Sequence, residues 1–203
     1  MNAGVDGCRG GWLVVVEPLK FHLCESWSEV ADLIHNCNQI AVDMPIGLPC
    51  LGQKRECDRL ARLLLGPRRN SVFSAPGREY LNATSYAEVT GMSLQTFYLI
   101  PKIRQLDEWI TPERQARVWE AHPELIFRRL AGSPLSHSKK TRQGRNQRLE
   151  LLGFPELPTH FPSSRVSRDD FIDAAALLLC AGRPAHPLGE QRDPKGLLMQ
   201  IRF

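Results

Sequence analysis

The chain opens with three apolar, β-branched runs separated by turns of only a few residues, and no other feature restricts its fold as much. Ala3–Asp6, Trp12–Glu17 and Phe21–Cys24 read as strands, broken by Gly7-Cys8-Arg9-Gly10-Gly11 and by a turn holding Pro18. Strands joined this closely lie antiparallel beside one another. Ser26 or Ser28 then caps a helix with Val30, Leu33 and Ile34 on one face. Gln39–Asp43 follows as a short buried strand, stopped by Met44-Pro45-Ile46-Gly47-Leu48-Pro49. A strand reached through a helix favours parallel pairing. The expectation is an α/β fold, a mixed sheet flanked by helices.

From Cys50 to Pro112 the pattern turns helical and polar, with breaks at Gly66-Pro67 and Ala75-Pro76-Gly77. It reads as a helical insertion with helices near Arg55–Leu65 and Ser93–Ile110, the second kinked or restarted by Pro101. Ala116–Glu120 is the next strand. Pro123 then starts a helix that runs to Leu130 and is closed by Gly132. His137–Arg148 reads as a loop or mobile arm, Asp169–Ala181 as the last strong helix, and Leu197–Phe203 as an edge strand. A chain of 203 residues suits one domain over 1–203, large enough to bury a core without disulfides.

Six cysteines are scattered with no C-x-x-C pair, and a strand pattern rather than a signal peptide begins at Ala3. The longest apolar run, Ala174–Ala181, is far short of the roughly 20 residues that span a bilayer. Reduced thiols, a cytoplasmic location and no membrane partner are expected. A zinc site on Cys50 and Cys57 lacks partners at suitable spacing, and plain buried or surface thiols compete with it.

The acids carry the functional signal. Asp6 ends an apolar strand just before glycines, where the backbone leaves room for a metal or a phosphate; an Asx-turn is the competing reading. Asp43 repeats the arrangement behind Ile40-Ala41-Val42. If the two strands are neighbours, both carboxylates meet at one sheet edge, and a divalent ion relieves their repulsion. Asp170 and Asp173 share a face of the last helix. Asp170 also fits a capping box with Ser167. Asp173 precedes a helix apolar on nearly all sides, so it needs a partner: a metal, Arg9 or Arg168.

Glu120, at a strand end, either joins the acids or orients His122; His122 is a general base, an outer-shell group or a helix cap, with Glu124 beside it. The formal net charge of +4 says little alone. Its distribution says more, because His137–Arg148 carries five cations and no acid. Lys139, Lys140, Arg142, Arg145 and Arg148 form a phosphate clamp or a solvated loop. Arg9 belongs to the same phosphate-facing set, with Arg68 and Arg69 as lesser candidates. Phe97, Tyr98 and Trp109 stack on bases or, at helical spacing, pack in the core.

Gly4-Val5-Asp6-Gly7-Cys8-Arg9-Gly10-Gly11-Trp12, Val42-Asp43-Met44-Pro45-Ile46-Gly47-Leu48-Pro49, Ser71–Pro76, Glu120–Glu124, Ser138–Thr141 and Asp169–Ala174 resemble the signature blocks of domain-of-unknown-function family 429. That family is described as predicted ribonuclease H-like nucleases, and the resemblance covers Gly4 to Ala181. It implies a ribonuclease H-like sheet and a metal-dependent nuclease. Asp6, Asp43, Asp170 and Asp173 also sit where RuvC-type resolvases place one acid on the first strand, one on the fourth and two on the last helix. One departure is that the second acid, commonly Glu there, is the shorter Asp43 here. The implied reaction is phosphodiester hydrolysis with two Mg²⁺ or Mn²⁺ roughly 3.5–4 Å apart, and a nucleic-acid partner of undetermined type.

Two other classes compete. An actin- or sugar-kinase-type phosphotransferase also begins Gly-x-Asp-Gly, but it needs a second lobe and further phosphate loops, and Cys8 stands where a hydroxyl would help. A nucleic-acid-binding module of the same fold would lack catalysis. A nucleophilic Cys8 activated by Arg9 is a third idea, without an identifiable base.

Overall fold

The structure is a computed structural model and describes residues 1–153 and 163–203. Among these residues a seven-stranded mixed sheet has the order β3-β2-β1-β4-β5-β7-β6. Its strands are β1 (Ala3–Cys8), β2 (Gly11–Val16), β3 (Lys20–Cys24), β4 (Ile40–Asp43), β5 (Val118–Ala121), β6 (Pro187–Arg192) and β7 (Leu198–Arg202). The first three pair antiparallel, and β4, β5 and β7 add parallel to β1 in turn. The expected α/β sheet is therefore present.

The helices are α1 (Trp27–Leu33), α2 (Glu56–Leu65), α3 (Leu94–Trp109), α4 (Pro112–Gln115), α5 (Pro123–Ala131), α6 (Arg142–Leu152) and α7 (Arg168–Ala181). One face of the sheet takes Val5, Trp12, Val14 and Val42 against Trp27 and Val30 of α1 and Ile103 and Leu106 of α3. Cys57, Ala61 and Leu65 of α2 cover Met199 and Ile201 of β7. The opposite face carries α7, with Ile126 and Phe127 of α5 and Leu149 of α6 beside it.

Gly4 sets how closely α7 approaches. A Cβ there would lie 2.3 Å from the carbonyl oxygen of Ala174 and 2.3 Å from the nitrogen of Leu178. The helix backbone thus rests directly on β1, an approach only glycine permits.

Three expectations are corrected. Gly7 and Cys8 do not end β1: the strand continues to Cys8, opposite Gly11, so Arg9-Gly10 forms a two-residue hairpin turn. The C-terminal run is not an edge, because β7 lies between β5 and β6 and the edge is β6. The basic stretch is a loop only to Thr141. Its second half is α6, capped by Thr141 accepting from the Gly144 N–H and ended at Gly153 in the left-handed region. Pro101 lies inside α3 and does not restart it.

Candidate functional site

Asp6 and Asp43 are register partners on the adjacent parallel strands β1 and β4. Strand alternation puts them on the same face as Gly4 and Ala41, the face that carries α7. Asp173 projects from α7, one residue before the Ala174 that touches Gly4. Asp6 is 7% exposed and Asp173 6%. Two neighbouring strands and one helix thus bring three carboxylates together, Asp6 and Asp173 buried and Asp43, at the end of β4, half-buried.

Their electrostatics show the cost of that gathering. Burial holds the Asp6 carboxyl well above the usual range, and Asp43, Asp173 and Asp170 push it further while Lys139 opposes. Burial also raises Asp43, against the pull of His122 and Lys139. Burial pushes Asp173 up to about 6; Lys139 opposes this, and Asp43 and Glu124 add to it. Such mutual elevation is what carboxylates show when too little positive charge stands among them.

The positive charge present is Lys139. Its Nζ donates to Asp173 Oδ2 at 2.7 Å. Burial opposes its protonation, but Asp173, then Asp43 and Asp6, outweigh that and raise its pKa. The partner of Asp173 is therefore neither Arg9 nor Arg168. Asp170 is committed to α7, where its Oδ2 accepts from the Ser167 N–H at 2.7 Å in a complete capping box.

The basic stretch divides by burial. Lys140 is exposed. Arg148 is 0% exposed: it donates to Glu124 Oε1 at 2.6 Å and to the Gly144 carbonyl at 2.9 Å, and it lies over the ring of Phe127. It joins α6 to α5 and is no phosphate ligand, because a buried, paired guanidinium cannot reach solvent. Arg9 is exposed in the β1–β2 turn, beyond the end of the strand that carries Asp6.

Glu120 does not join the acids. It is in register with Val42, one residue out of phase with Asp43, so it faces α2 on the other side of the sheet. There its two oxygens accept from Arg55 Nη1 and Nη2, each at 2.7 Å, and one also accepts from the Ile46 N–H at 2.8 Å. Asp58 completes this buried network. Sequence reasoning missed Arg55, because nothing local marks a buried cation whose partner lies on another strand.

His122 caps α5, with Nδ1 accepting from the Glu124 N–H at 3.2 Å and Nε2 3.1 Å from the Ser71 carbonyl. Both ring nitrogens are thus engaged by the chain's own backbone. Of the roles the sequence offered, the geometry shows the helix cap, placed near enough to Asp43 to act on its carboxyl. Glu124 lies near Asp173 and is held by Arg148.

The remaining candidates fall elsewhere. Cys8 is buried; burial pushes its thiol up, and Asp170 and Asp6 add to this against the Gly10 N–H and Lys102, so it is no activated nucleophile. Trp109 packs on Trp27 as core, whereas Tyr98 is 70% exposed. Lys102 of α3, not singled out by the sequence, lays its stem against Gly7.

The donor set has the chemistry that suits a hard divalent cation: carboxylate oxygens only, largely withdrawn from solvent and repelling one another. The charge arrangement fits such an ion. Among the described residues, however, no three His, Cys, Asp or Glu side chains converge as a ready metal cage, which also covers the Cys50–Cys57 idea. Asp173 is turned onto Lys139 and Asp170 onto its own N-cap.

Residues 4–190 match the family described as "Protein of unknown function (DUF429)". No curated protein matches the chain. No solved structure matches it. No helix among the described residues is long and apolar enough to cross a membrane.

Proposed function

From its site we propose that this chain, which belongs to the DUF429 family, is a metal-dependent phosphodiester hydrolase acting on nucleic acid. The observation that carries this is the registered pair Asp6 and Asp43 with Asp173 against it, two buried carboxylates and a half-buried one sharing one lysine. The ribonuclease H-like assignment is part of the same proposal. It is supported by one acid on β1, one on β4 and two on α7 three residues apart.

Asp6, Asp43 and Asp173 would hold Mg²⁺ or Mn²⁺, with Asp170 at the edge of the set. A bound ion of this kind supplies an acidified water and charge for the departing oxygen. The chain contributes the rest. Strand register and the Gly4 contact fix the carboxylates relative to one another. Lys139 and Lys140 place positive charge at the rim, where a phosphodiester would lie, and Arg9 adds to it from the hairpin turn. His122 ties that rim to Ser71 and keeps the β5–α5 corner in place.

A binding module without catalysis draws support from the Lys139–Asp173 pair, since a lysine already neutralises part of the site. Purified protein with Mg²⁺ should be offered single-stranded, duplex and branched DNA and RNA. Hydrolysis of at least one substrate, abolished in Asp43→Asn with unchanged circular dichroism, is the expected result. Full activity in that folded variant would refute the role. Binding without any hydrolysis would favour the module.

A further inference from the structure

On the sheet face opposite the acids, α2 and the 3-10 turn Gly66–Ser71 wall an open groove of about 830 Å³. Lys54, Arg59, Arg62 and Arg69 line it, with Asn70 and Gln191. Its nearby acids are largely committed: Asp58 accepts from buried Arg55 and from the Ala75 N–H, and Glu56 lies 3.6 Å from Arg59. Among the described residues Lys54, Arg62 and Arg69 have no acid partner. Arg62 is fixed by neutral acceptors, the Val72 carbonyl at 3.1 Å and Ser74 Oγ at 3.0 Å, so its charge is both oriented and uncompensated.

A second hollow of about 600 Å³ shares Lys54, Arg62, Asn70 and Ser74 with the first and is bounded by Phe73 and Tyr80. Both volumes lie in the range of roughly 300–1,000 Å³ typical of ligand sites. Cations in one lobe and half-buried rings in the next match a strand whose phosphates and bases alternate. Carboxylates on an acidic peptide would use the first lobe only. The groove is also linked to the neighbourhood of the acids through one hydrogen bond. Asn70 lines both hollows, and the next residue, Ser71, accepts from His122 at the rim of the carboxylate site.

We propose that this groove is a second nucleic-acid site, which binds a few nucleotides of a single strand flanking the phosphate presented to the acids. The proposal rests on the nucleic-acid reading above and adds where the flanking strand runs.

The test is fluorescence anisotropy with labelled oligothymidylate and oligouridylate of about 12 nucleotides, in Ca²⁺ and over a range of NaCl. It compares the wild type, Lys54→Ala/Arg69→Ala, and Lys20→Ala/Arg183→Ala as an equal charge change outside the groove. All four residues are exposed, so folding is not at risk. Removing two strand contacts should make the slope of log K against log salt shallower by about 1.4 and weaken binding roughly ten- to thirtyfold near 0.1 M salt. The control pair should match the wild type. An unchanged slope in the groove variant, with the wild type still binding, overturns the groove and leaves the nucleic-acid reading standing. An equal loss in both variants assigns the effect to net charge and also overturns the groove. No binding by the wild type overturns both.

Discussion

The ammonium of Lys139 lies 2.7 Å from Oδ2 of Asp173, and Asp43 and Asp6 also raise its pKa, so one cation serves three acids. It occupies the electrostatic place a divalent ion would take. Lys139→Met is therefore expected to lose on the order of 1–2 kcal/mol of stability in EDTA, less than a fully buried pair would lose, because its side chain is 40% exposed. The same variant should bind Mn²⁺ more tightly. Urea titration and calorimetry read the two effects, and weaker Mn²⁺ binding would show that Lys139 supports the metal rather than competes with it.

The raised carboxyls give a pH signature with a definite sign. Their folded pKa values lie above the unfolded value of 3.8, so the native state binds more protons from 3.8 up to about 6, the value for Asp173, with Asp6 raised in the same direction. Stability must then fall as pH rises through that window. Asp6→Asn removes one repelling charge. It should be more stable than wild type by about 1–3 kcal/mol at neutral pH in EDTA, with the gain shrinking toward pH 4. A gain independent of pH would mean the carboxyls do not repel as described.

Arg148 and Lys140, eight residues apart in the same basic stretch, should behave oppositely. Arg148→Ala leaves Glu124 buried without its partner and should cost about 3–5 kcal/mol. Lys140→Ala should change stability by less than about 0.5 kcal/mol and weaken oligonucleotide binding. Thermal melts with binding isotherms separate them. A stable Arg148→Ala with reduced binding would restore Arg148 as a phosphate contact.

Gly4→Ala tests how the site is assembled. The added Cβ would meet helix backbone at 2.3 Å, which no rotamer can relieve. We expect a loss of at least about 3 kcal/mol, or failure to fold, and loss of Mn²⁺ binding in any folded fraction because α7 carries Asp173. A native melting temperature would contradict the contact.

Most of this arrangement was legible in the residues. Asp6 and Asp43 could be paired in thought because each ends an apolar run at a turn, but that β1 and β4 are neighbours had to come from the sheet order. Glu120 was misplaced by a single residue of phase. β5 is buried on both faces, Trp119 and Ala121 on one and Glu120 on the other, so no polar alternation marked which way it pointed. Arg148 was misjudged because an acid-free run reads as solvated, while its partner Glu124 lies 24 residues earlier. Thr141 and Gly153, which cap and end α6, are residue types suited to those places, yet the sequence reading did not use them. Lys139 could not be matched to Asp173 without the fold, since chain separation hides such a pair.

The central claim is that Asp6, Asp43 and Asp173 form a divalent-metal site. Anomalous diffraction from crystals grown with Mn²⁺ and a non-hydrolysable oligonucleotide addresses it most directly. We predict a peak within about 2.0–2.6 Å of Asp6 and Asp43 oxygens, with the Lys139 ammonium withdrawn from Asp173. Oligonucleotide bound, no peak at these carboxylates and Lys139 still on Asp173 would contradict the claim, and the chain would stand as a binding module.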